Sequence, residues 1–169
     1  MKIKKFKFKH KKLFYFYKNK INKNYIVLYK IYRFIQKLLS KKGKILFILP
    51  SEENYLKINK KIVKIIKKNK QIYRFDIKNK PGFLTNLSEL NNQTFMIGNK
   101  RPNLIFILSN NLISINPVIK ESLLLKIPII SIFESQKMYP DITFPIIAKL
   151  NKKILIFFYF FIANILTKK

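Results

Sequence analysis

A chain of 169 residues with 36 lysines and arginines against 7 acids carries a formal charge of +29. Self-repulsion on that scale disfavours an isolated soluble monomer and calls for a polyanion or an anionic surface as partner. The 49% hydrophobic content supplies one packed domain and excludes disorder throughout, while the absence of cysteine excludes disulfides, thiol catalysis and cysteine-ligated zinc.

Arg33, Arg74 and Arg101 are the only arginines, so nearly all the positive charge is lysine. Lysine meets phosphate as a mobile point charge, whereas bidentate reading of guanine favours arginine, so contact with a nucleic-acid backbone is expected rather than sequence reading. Lys, Ile, Asn, Phe and Tyr make up roughly three-fifths of the chain, far from ordinary usage. That bias is the stamp of a very AT-rich, organellar genome.

Residues 1–24 form a basic aromatic arm in which lysine alternates with Phe, Tyr and Ile. Lys4, Lys5, Lys7, Lys9, Lys11, Lys12, Lys18 and Lys20, with His10 among them, are candidate RNA contacts, the aromatics stacking on exposed bases. The alternative is a tail packed on a neighbouring protein. No arginine or serine precedes Arg33 and no long uncharged run follows the first lysines, so neither a transit peptide nor a secretory signal is expected. That fits a protein made in the compartment where it works.

Residues 25–169 read as one α/β domain. Tyr25 to Lys42 has helical spacing of Ile31, Phe34, Ile35, Leu38 and Leu39, with Gly43 as its expected C-terminal cap. Lys44 to Leu49 is an apolar strand stopped by Pro50. Ser51 caps the next helix, whose apolar stripe is Tyr55, Ile58, Ile62, Ile65 and Ile66. Gln71 to Phe75 is a short strand, and Pro81-Gly82 a turn that needs a positive backbone angle at glycine.

Leu104 to Leu108 and Ile127 to Phe133 are uninterrupted apolar runs around a helical segment near Pro117 to Lys126. Strands apolar on both faces belong to a parallel sheet covered on both sides. A proline-punctuated edge follows at Thr143 to Ile147. Asn151 then caps a run from Ile154 to Leu166, too short for the roughly twenty residues of a membrane span and expected to be a buried terminal helix. The expected fold is therefore a doubly wound, flavodoxin-like parallel sheet with helices on both faces, preceded by the arm and a helix.

Three glycines in the chain exclude a Gly-rich dinucleotide turn or a P-loop. Glu134 and Asp141 could face the crevice at the carboxyl edge of the sheet, but two carboxylates among so many lysines more often form ion pairs. No catalytic residue, metal, cofactor or small-molecule substrate is expected.

The order Pro102-Asn103 with its strand, Ile119-Lys120-Glu121-Ser122, Ile127-Pro128 with its strand, Glu134-Ser135-Gln136 and Phe144-Pro145-Ile146 resembles bacterial-type small-subunit ribosomal protein number two. Lys80-Pro81-Gly82-Phe83-Leu84-Thr85-Asn86 is similar to that family's paired-glycine loop, matching at Gly82, Leu84, Thr85 and Asn86. Asn103 replaces the family's Asp, Glu134-Ser135-Gln136 its Asp-Thr-Asn, and Ile147 its second proline. The family's long helical hairpin is missing, with only Asn91 to Arg101 in its place.

The resemblance, over Gly43 to Leu166, implies a structural constituent of the small ribosomal subunit, in the mitochondrion rather than a plastid. It implies ribosomal RNA and neighbouring ribosomal proteins as partners. Lys78, Lys80, Lys100 and Arg101 join the arm as candidate RNA contacts. The alternative is a basic membrane-surface protein using arm and tail. A degenerate nucleotide-binding enzyme rests on fold analogy alone.

Overall fold

The computed structural model describes residues 25–49, 56–67, 69, 71–75, 82, 84–85, 101–109, 112–133 and 142–167. The elements in chain order are α1 (Tyr25–Ser40), β1 (Ile45–Ile48), α2 (Leu56–Lys67), β2 (Ile72–Phe75) and β3 (Leu104–Ile107). There follow α3 (Leu112–Leu124), β4 (Ile129–Phe133), β5 (Phe144–Ile147) and α4 (Lys152–Thr167). The strands form one five-stranded sheet in the order β2-β1-β3-β4-β5, every pair parallel. The chain winds outward to β2, then back past β1 to β3, β4 and β5. This is the doubly wound architecture with flavodoxin-like strand order that the apolar runs imply.

All residues of β1, β3 and β4 are buried, and alternation sends them to two cores. Ile45, Phe47, Leu104, Phe106, Ile130 and Ile132 pack with α1, α2 and α4. Leu46, Ile48, Ile105, Ile107, Ile129 and Phe133 pack with α3 and Leu84. β5 is the edge, as its proline requires: Pro145 pairs with Ser131 on one side only, where a missing N–H is tolerated.

α1 packs over the first of these cores and reaches the amino ends of the two edge strands. Phe34 meets Phe144 at the start of β5, with ring centroids 5.3 Å apart. Five residues on, the Leu39 carbonyl accepts a hydrogen bond of 3.0 Å from Gln71 Nε2, just before β2. The Gly43 cap expected from the sequence is corrected here. The left-handed residue is Lys42, with φ 58, donating to Leu39 O at 3.0 Å while Gly43 N donates to Leu38 O at 2.9 Å. That bond pair is a Schellman motif with lysine at the position glycine usually takes. Glycine is needed at position 43 for space, since a Cβ there would lie 2.6 Å from Leu38 Cγ.

α3 repeats the device at its own end. Lys126 has φ 54, its N–H reaches Leu123 O at 3.1 Å, and Ile127 N reaches Ser122 O at 2.8 Å. The helix begins at Leu112, earlier than the segment around Pro117 suggests, and holds Pro117 inside it. Proline lacks the N–H that would bond four residues back, which is why sequence reasoning places a boundary there. Burial of Ile115, Val118 and Ile119 against the sheet holds the helix through it.

The segment after Asn151 is a buried terminal helix, as expected. Asn151 Oδ1 accepts the Ile154 N–H at 3.0 Å, the bond of an N-cap. Leu155, Phe158, Phe161 and Ile162 face the sheet core. No described helix is long and apolar enough to cross a membrane. In α2, Ile58 and Ile62 are buried while Lys57, Lys60, Lys61 and Lys64 are exposed. The expected cap at Ser51 and the stripe residue Tyr55 lie outside the described residues, and so does the shortened connection at 91–100.

Candidate nucleic-acid interface

Because the strands are parallel, their starts share one edge, where Pro102-Asn103 and Ile127-Pro128 lie. Asn103 joins the starts of β1 and β3: its Oδ1 accepts the Lys44 N–H at 2.8 Å, and its own N–H donates to Lys44 O at 2.8 Å. An acceptor oxygen is all this contact needs, so Asn serves where the resembled family has Asp. Pro102 beside it is buried and Arg101 is exposed.

The loop at Gly82 is fixed from two sides. Glu121, on the last turn of α3 and 8% exposed, accepts from Gly82 N at 2.6 Å, Leu84 N at 2.6 Å and Thr85 N at 3.3 Å. One buried carboxylate thus satisfies three backbone donors with charge-assisted bonds. Leu84, fully buried, plugs the loop into the mostly aliphatic core beside α3.

Gly82 has φ 86, the positive angle that the Pro-Gly turn demands. A Cβ there would meet nothing nearer than Thr85 Oγ1 at 3.9 Å, so glycine is required by backbone angle and not by crowding.

Glu121 was not singled out in the sequence as a site residue. The signal was available: it stands three residues after Val118, at the margin of the apolar stripe of α3. A carboxylate at such a position must find donors.

Of the candidate RNA contacts, Arg101 is described, exposed at the amino edge. Lys4, Lys5, Lys7, Lys9, His10, Lys11, Lys12, Lys18, Lys20, Lys78, Lys80 and Lys100 lie outside the described residues, and so do Glu134 and Asp141. In sequence, Lys80 stands two residues before Gly82. Lys41 and Lys42 at the end of α1 and Lys126 at the end of α3 are exposed close to the same strand starts. The sequence reasoning did not include them.

Glu121 is the only acidic side chain among the described residues, and it is buried. The net charge of +29 over the whole chain suits a polyanion as partner. Among the described residues no three His, Cys, Asp or Glu side chains come together as a metal site. No protein-family model matches the chain, and no curated protein matches it.

Proposed function

We propose that this chain is a structural component of the small ribosomal subunit, working in the mitochondrion. It binds ribosomal RNA through phosphate contacts and packs against neighbouring ribosomal proteins. The observation that carries the reading is the Glu121 clamp. Two of the segments that resemble the family, 80–86 and 119–122, are remote in sequence, yet the carboxylate of one holds three amides of the other. A resemblance due to composition alone gives no reason for its pieces to be mutually bonded. The net charge of +29 supports RNA as the partner, and the preponderance of lysine favours contact with its backbone.

Sedimentation of organelle lysate tests this. The chain should travel with small-subunit ribosomal RNA through a sucrose gradient and leave that fraction when the RNA is digested. Carbonate extraction addresses the membrane-surface alternative. Retention in the lipid pellet, with none of the chain in ribosomal fractions, would overturn the proposal.

A further inference from the structure

α1 carries charge that the family resemblance does not account for. Its inner side, Leu28, Ile31, Tyr32 and Ile35, is buried under the sheet. Its outer side presents Ile26, Tyr29, Lys30, Arg33 and Lys37, all exposed. Steps of four, three and four residues along Ile26, Lys30, Arg33 and Lys37 return to one line on a helix. The three cations thus stand about one per turn, roughly 5 Å apart along the axis.

We propose that this outer stripe of α1 is an RNA contact distinct from the arm. Lys30, Arg33 and Lys37 take phosphates along one strand. The inference rests on the reading of the chain as an RNA-binding protein. Three observations favour α1 over the other basic helix. It carries an arginine, whereas the exposed cations of α2, Lys57, Lys60, Lys61 and Lys64, are all lysines. It follows directly in sequence from the basic arm, so RNA held by one can continue onto the other. It also reaches the amino edge, where Arg101, Lys41 and Lys42 are exposed.

A lipid surface is a poorer occupant. An interfacial helix inserts its apolar face into the membrane, and the apolar face of α1 is already buried in the core.

The test compares two triple variants of the full chain, Lys30→Gln/Arg33→Gln/Lys37→Gln and Lys57→Gln/Lys61→Gln/Lys64→Gln. Far-UV circular dichroism establishes that both fold like the parent. Binding to a transcript of the small-subunit ribosomal RNA, and separately to phosphatidylserine vesicles, is measured across a salt series.

Loss of three phosphate contacts should lower the log–log salt slope for RNA by about two to three units in the α1 variant. The α2 variant should change by less than one. A steep parent slope left unchanged in the α1 variant, or lowered equally in both, overturns the α1 site while leaving RNA binding intact. An α1 variant that loses vesicle binding and keeps RNA binding also overturns it. A parent with no salt-dependent RNA binding removes the proposed function itself, and this site with it.

Discussion

On one face of the sheet Phe47 and Phe106 stack with centroids 5.0 Å apart, and Phe158 meets Phe106 edge-on at 5.7 Å, beneath α1, α2 and α4. On the other, α3 and Leu84 cover mostly aliphatic side chains with Phe133 among them, and the Glu121 carboxylate ties the loop down. The first face is held by apolar area spread over many side chains, none of which needs a particular orientation to be worth burying. The second is held by buried apolar area as well, but its loop at Gly82 depends on a few directional bonds at one point. Damage to the aromatic face should lower the stability of the whole domain, whereas damage at Glu121 should release one loop from a domain that stays folded.

The largest expected effect is therefore at Phe106, fully buried between Phe47 and Phe158. Phe106→Ala should cost about 3–5 kcal/mol. Denaturant unfolding followed by circular dichroism, at high salt to screen the self-repulsion, reads that loss directly. A cost under about 1 kcal/mol would mean that the stacked row does not support the core.

Glu121→Ala comes next. It strands three amide donors, with hydrogen bonds to a charged group contributing about 1.5–3 kcal/mol each at most and less where water can reach the freed amides. Protease cleavage near Gly82 should speed up well before global unfolding. Glu121→Gln keeps one acceptor oxygen and should fall between Ala and the parent. Cleavage confined to other loops in the Ala variant would remove the clamp's role.

Gly82→Val should cost on the order of 1–3 kcal/mol by forcing a β-branched residue to positive φ. Gly82→Ala separates angle from bulk, because the space beside Gly82 is open. Both variants should enter the small subunit less well than a Ser88→Val control when assembled particles are sedimented. Equal incorporation of all three would deny the loop a special role.

These three sites differ in how far the sequence exposed them. Phe106 lies in an uninterrupted apolar run, and such runs gave β3 and β4 and the parallel sheet, because strands covered on both faces have no polar side to display. Gly82 was legible because proline followed by glycine leaves few turns open, and Asn151 because a capping residue preceded a long apolar run. That Glu121 needs donors could be read from its place on α3, but which donors was hidden, because they are backbone amides of a segment far away in sequence and amides look alike in every residue. The start of α3 was hidden by Pro117, a local preference overridden by burial of the neighbouring apolar side chains. The end of α1 was misplaced by one residue, because a glycine required for space next to Leu38 resembles a glycine required for angle.

That last distinction leads to the smallest effect, and one of opposite sign. Lys42 and Lys126 occupy the left-handed region at φ 58 and φ 54, where an L-residue with a Cβ is strained by roughly 1–2 kcal/mol. Glycine relieves the strain but adds freedom to the unfolded chain worth about 0.5–1 kcal/mol. Lys126→Gly should therefore stabilise the domain by about 0.5–1 kcal/mol, and Lys42→Gly by a similar amount. Lys→Ala at either site keeps the Cβ and should bring no gain, which separates relief of strain from removal of charge. In a domain of this size the expected rise in melting temperature is roughly 1–4 °C. Because Lys42 stands at the amino edge, its glycine variant should be more stable yet bind RNA more weakly in low salt. Equal stabilisation by Gly and Ala would instead mean that crowding of positive charge, and not backbone angle, is what these lysines impose.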